Sequence, residues 1–157
     1  MMATPTTLPP VDFPPAGERT GYRTMLDSIV DGTAADPPYV RRLALPHPTS
    51  WSYGRLDALI DVGADVTWNS GAVFGGYITC LTDLYAGLAM LTVLPDRARF
   101  LTGHIAVSFR VPLLPGPASV EATVTELQAH KAATEVVIRQ SGHVTSSGLV
   151  TQIISRK

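Results

Sequence analysis

Cysteine is almost missing: Cys80 is the one thiol in 157 residues. No disulfide can form within the chain, and a reducing compartment, the cytoplasm, is the expected location. Charge is scarce too, at 16% of residues with a formal net charge of −1. No basic run is present, so neither nucleic acid nor an anionic membrane surface is an expected partner. The four histidines, His47, His104, His130 and His143, show no metal-ligand spacing. "GAVFGG" lacks the strand-led glycine spacing of a dinucleotide loop, so no metal or cofactor is called for. The N-terminus carries neither a basic nor an apolar leader segment. Only Tyr77 to Leu94 makes a long apolar run; its length is at the lower limit for a membrane span, and Asp83 near its centre would be costly in lipid.

What is abundant is apolar surface. Hydrophobic residues make up 45% of the chain, a high share for a free monomer, and the length suggests one domain with a sizeable core. Residues 1–20 hold five prolines and little periodicity, which reads as a disordered or extended tail before a single domain at 21–157. Tyr22, Met25, Leu26, Ile29 and Val30 have helical spacing closed by Gly32. Pro37 and Pro38 predict an extended restart. "YGRLDALIDV" alternates as a half-buried strand, with Leu59 the apolar exception. After the long apolar helix, Ile105, Val107, Phe109 and Val111 alternate with Ala106, Ser108 and Arg110, and three further Val- and Thr-rich strands follow. The pattern predicts four strands in antiparallel meander. A helix apolar on nearly every side must be covered. A curved antiparallel sheet wrapped around it, an α+β architecture, is the simplest cover.

Two features of that helix carry chemistry. Gly75 and Gly76 open it, where backbone N–H groups lack partners and the helix dipole is positive. Bare backbone there suits an oxyanion site, or else a tight turn. Asp83 sits in its middle with no Lys or Arg on the helix to pair with it. A carboxylate drawn out of water suits general-base work or direct attack on a carbonyl; the plainer reading is a structural Asp bonded to backbone or to a Thr. Gly75 and Asp83 stand eight positions apart, about 12 Å along a helix axis. One carbonyl cannot touch both, so joint action needs two chains with their helices antiparallel.

The row Asn69, Gly71, "FGG" at 74–76, Asp83 nine residues after Phe74, then Thr102, Pro112 and Gly116, resembles the hotdog-fold acyl-CoA thioesterases of the phenylacetate-degradation subgroup. The resemblance spans roughly residues 36–155. Where that family carries His, this chain has Phe74, and Asn69 stands one residue nearer the glycines than the family's Asn. The resemblance implies a curved sheet around one central helix, an acyl-CoA or acyl carrier protein substrate, and a homodimer, possibly a dimer of dimers. It implies catalytic roles for Asp83, Gly75, Thr102 and Asn69, and substrate contacts from Phe74 and Gly76. His104 and Arg110 are candidates for the CoA phosphates, or simply solvated strand residues. Cys80, one turn before Asp83, reads as a small buried hydrophobe, and Tyr85 and Met90 as core or as an acyl-pocket lining. Two rival functions share the scaffold: a hydratase or dehydratase, which wants an Asp and His pair, and a non-catalytic acyl-CoA-binding protein.

Overall fold

The computed structural model describes residues 10–157. Helices α1 (Gly21–Val30) and α2 (Pro38–Arg42) precede strands β1 (Ser50–Ser52) and β2 (Arg55–Val62). The long helix α3 (Gly75–Leu91) follows, and then β3 (Ala98–Phe109), β4 (Gly116–Gln128), β5 (Lys131–Gln140) and β6 (His143–Arg156). The strands form one six-stranded antiparallel sheet in the order β1-β2-β4-β5-β6-β3. Only β4, β5 and β6 make the predicted meander. β3 is joined in sequence to β4 but pairs with β6, from Ala98↔Arg156 to Phe109↔Ser146, and lies at the sheet edge. The α+β expectation holds, as does the central helix, which packs on the inner face of the sheet.

Alternation decides which side chains meet α3. In β2, Leu56, Ala58, Ile60 and Val62 are buried while Leu59 points away and is exposed. In β5, Ala132, Thr134, Val136 and Ile138 are buried, and β6 adds Gly148, Val150, Gln152 and Ile154. Gly148 lets the helix lie close: a Cβ there would fall 2.5 Å from Thr82 Cγ2. The helix sends Tyr77, Ile78, Leu81, Thr82, Tyr85, Ala86, Ala89 and Met90 into this layer. It begins two residues before the expected Tyr77 and ends at Leu91, where the Thr92 N–H donates to the carbonyls of Ala89 and Met90.

Residues 11–20 carry no helix or strand, but they are packed against the domain and not disordered. Val11 is buried in a cluster with Met90, Val93, Leu94, Ala98, Ala132 and Ile154. Arg23, only 1% exposed, explains why the segment stays. Its guanidinium donates to the Thr92 carbonyl at 2.8 Å, the Pro15 carbonyl at 2.8 Å, the Ala16 carbonyl at 3.2 Å and the Glu18 carbonyl. A buried cation needs such acceptors, and this chain supplies them from the proline-rich segment itself. The rest of the expected tail, residues 1–9, lies outside the described residues. α2 is a second correction: Pro38 opens a short helix, since proline is tolerated at a first helical position.

Candidate active site

The half-exposed positions of α3 are Gly75, Gly76, Thr79, Cys80, Asp83, Leu84, Gly87 and Leu88. Steps of one and three residues place them on one stripe, opposite the sheet. At its start the helix has no capping side chain on Phe74 and no acid in its first turn. Among the described residues no group accepts from the Gly75 or Gly76 N–H. At both glycines an added side chain would have to push aside an exposed aromatic ring. A Cβ on Gly76 would lie 2.3 Å from the Phe74 ring, and one on Gly75 would lie 3.3 Å from Phe109 Cζ. The two N–H groups therefore form a bare, positively polarised corner.

Two turns further on, Asp83 faces β3. Thr102 Oγ1 donates to Asp83 Oδ1 at 2.7 Å, and Oδ2 has no partner among the described residues. The carboxylate is half-buried, not enclosed as the apolar run suggested, and no cation pairs with it among the described residues. The β3–β6 ladder slips between Thr102 and His104, a bulge centred on Gly103, where a Cβ would press on the Ile153 side chain at 3.1 Å. Such bulges re-aim a neighbouring side chain. Directly across the ladder from Thr102 is Gln152, which is fully buried. Its Oε1 accepts from Thr134 Oγ1 at 3.3 Å, while its Nε2 has no partner among the described residues.

Two grooves flank the open stripe. The first, about 630 Å³, lies by the helix start and is lined by Arg42, Leu43, Trp68, Phe74, Gly76 and Cys80, among others. Trp68 and Phe74 meet edge to face there, with ring centroids 5.4 Å apart. The Tyr77 hydroxyl donates to the Ala44 carbonyl at 3.0 Å; burial, then the charge of Asp65, raises its pKa. The second groove, about 440 Å³, runs over the helix's later turns. Asp83 and Thr102 lie at its edge, and Met25, Ile29, Leu43, Leu84, Leu88 and Leu91 line it. It shares Met25, Ile29, Pro37, Tyr39, Leu84 and Leu88 with a recess of about 120 Å³.

Of the residues singled out from sequence, Asp83 and Thr102 meet directly, and Gly75, Gly76 and Phe74 gather at the helix start. Asn69 is exposed in the loop before α3 and lines neither groove. His104 and Arg110 are exposed and line neither; Arg110 Nη2 donates to Ser147 Oγ at 3.3 Å. Tyr85 and Met90 are core: the Tyr85 hydroxyl donates to the Pro46 carbonyl at 2.8 Å. Cys80 is half-buried and borders both grooves, a position its apolar neighbours in sequence conceal. Arg42, Trp68 and Gln152 escaped notice. Trp68 beside a turn-rich "NSG" was the readable hint; Gln152 gave none beyond being polar in an apolar strand.

Comparison with known proteins bears on this arrangement. The family model described as the thioesterase superfamily matches residues 70–147, which holds α3, β3, β4 and β5. No curated protein matches the chain. A phenylacetic acid degradation-related protein from Ralstonia eutropha JMP134 superposes with TM-score 0.72 at 18% identity, over 82% of this chain and 98% of that one. The PaaI protein of the E. coli phenylacetic acid degradation operon gives TM-score 0.70 at 13% identity, over 85% and 94%. A thioesterase from Haemophilus influenzae gives TM-score 0.72 at 16% identity, over 83% and 90%. At such identities the likeness is one of fold.

Proposed function

We propose that this chain, a hotdog-fold member of the thioesterase superfamily, hydrolyses an acyl-CoA thioester at a site shared by two copies of itself. The observation that carries the reading is the open stripe of α3. It holds a pair of unpartnered N–H groups at one end and the Asp83–Thr102 pair about 12 Å further along. Contacts to a reacting carbonyl must be near 3 Å, so the two ends serve one substrate only across a two-fold axis. The long edge of β3, unpaired among the described residues, also favours a partner, because a free strand edge of that length invites pairing.

In the composite site the thioester oxygen sits on the N–H groups of Gly75 and Gly76 of the partner subunit. Thr102 fixes Asp83 through Oδ1 and leaves Oδ2 to take a proton from water. The hydroxide adds to the carbonyl, and the oxyanion that forms is held by the two N–H groups. Collapse breaks the C–S bond, and the proton held on Asp83 goes to the departing thiolate. Water and thioester become acid and thiol. Direct attack by Oδ2, through an anhydride, uses the same geometry. Phe74 supplies an aromatic wall where a histidine would supply a hydrogen bond. His104 lines neither groove, which disfavours the hydratase reading, since that chemistry wants an imidazole beside the acid. We expect a dimer in the cytoplasm, with no metal or cofactor; no helix among the described residues is long and apolar enough to cross a membrane. Release of free thiol from a set of acyl-CoAs tests the reading. Binding without release would leave an acyl-CoA-binding protein.

A further inference from the structure

We infer that the second groove is the acyl site and that it takes an uncharged, straight aliphatic chain of roughly ten carbons. This rests on the thioesterase reading above. The groove starts at the Asp83–Thr102 pair, where the carbonyl carbon must lie, and runs over Leu84, Gly87, Leu88 and Leu91 beneath Met25, Ile29 and Leu43. Its roof comes from α1 and α2, which precede the residues matched by the family model at 70–147. The acyl preference is therefore built from a part of the chain that the family signature does not cover.

Charge selects the class. No Lys, Arg or His lines this groove, and its one charged group is Asp83; in the recess that opens off it, the imidazole of His47 is already paired with Asp36 at 2.6 Å. A second carboxylate on the acyl chain would be stripped of water beside Asp83 with no cation to meet it. The first groove, by contrast, has charged groups of both signs, Arg42 and Asp65, and the exposed ring of Trp68, and so suits the polar thiol portion of the ester. Exposure agrees: Met25 is 41% and Leu43 44% exposed, so apolar surface stands open where a ligand can cover it. Length selects the size. Asp83 to Leu91 covers about 12 Å of helix axis. An extended chain advances about 1.2 Å per bond, as the three bonds of a ~3.6 Å peptide repeat show, which gives the ten carbons.

Gly87 makes the groove testable. It lies one turn beyond Asp83 on the groove floor, and a Cβ there meets only the Phe100 ring, Cζ at 3.4 Å and Cε2 at 3.6 Å, ordinary contacts. Gly87→Leu fills the channel and improves helix propensity. The experiment measures thiol release from acetyl- to tetradecanoyl-CoA, phenylacetyl-CoA and succinyl-CoA. The enzymes compared are the full chain, Gly87→Leu and Met25→Lys, with mass by light scattering. The parent should gain about fourfold in kcat/KM per CH₂ and level off near ten carbons. Gly87→Leu should lower the decanoyl-to-butyryl ratio at least tenfold, and Met25→Lys the decanoyl-to-succinyl ratio as much. A flat profile, a preference for phenylacetyl- or succinyl-CoA, or a Gly87→Leu protein that turns monomeric would overturn the inference; the last would mean that a second copy fills the groove. If no ester releases thiol, the hydrolytic reading fails by itself. Calorimetry with thioether analogues of the same acyl-CoAs then decides the groove, by whether affinity climbs with chain length.

Discussion

The two faces of α3 obey different rules. Toward the sheet, Leu81, Tyr85, Ala86, Ala89 and Met90 are fully buried and belong to the two hydrophobic clusters that the strands complete. Away from the sheet, Gly75, Gly76 and Gly87 leave backbone bare, Cys80 is small, and Asp83 is the only acid. One face is shaped by packing and the other by access. Overall hydrophobicity hides this difference, because both faces read as apolar until the sheet is in place.

Truncating the packed face should cost most. Leu81→Ala removes a fully buried side chain from a dense core, an expected loss of about 2–5 kcal/mol in denaturant unfolding. Leu84→Ala, half-buried on the other face, should cost less than half as much. Equal losses would mean that the two faces are alike. On the open face the larger effect should be on rate: Thr102→Val removes the hydroxyl that orients Asp83, and turnover should fall by about tenfold, the worth of ~1.4 kcal/mol, with stability nearly unchanged. An unaltered kcat would remove Thr102 from the mechanism.

The smallest effect sharpens the packed face again. Burial, and then the charge of Tyr77, raises the Tyr85 pKa well above the usual tyrosine range. The folded state therefore holds that proton more tightly than the unfolded one. Stability from this group is complete below about pH 10 and falls by roughly 1.4 kcal/mol per pH unit above it. Tyr85→Phe gives up the bond to the Pro46 carbonyl, about 1 kcal/mol at pH 8, but should be less sensitive between pH 10 and pH 11.5. Unfolding midpoints should therefore favour the parent at pH 10, cross before pH 11 and favour the variant at pH 11.5.

Local pattern exposed some of this and concealed the rest for physical reasons. The alternation in β2 and the apolar run of α3 were readable because side-chain period follows directly from backbone geometry. That β3 lies beside β6 was not, since strand order depends on which edges remain free after the meander forms. The packing of residues 11–20 was hidden as well: prolines give no period, and the acceptors that hold Arg23 are backbone carbonyls, which any sequence supplies. At the site, the spacing of glycines and acid was legible, and the resemblance brought in Thr102. Gln152 and the α1–α2 roof of the second groove were not legible, because both depend on what folds over what.

The central claim is that Asp83 of one subunit and Gly75 of the other serve the same carbonyl, and subunit exchange tests it most directly. Asp83→Asn should keep the fold and the dimer and lose turnover by about a hundredfold or more. Gly75→Val should hinder the N–H corner and crowd Phe109, whose ring is 3.3 Å from the new Cβ position. A mixed dimer of the two has one intact site and one doubly altered site. Equal mixing with free exchange should therefore recover about a quarter of the parent's thiol release. No recovery, with mixed dimers demonstrated by mass, would contradict the shared site.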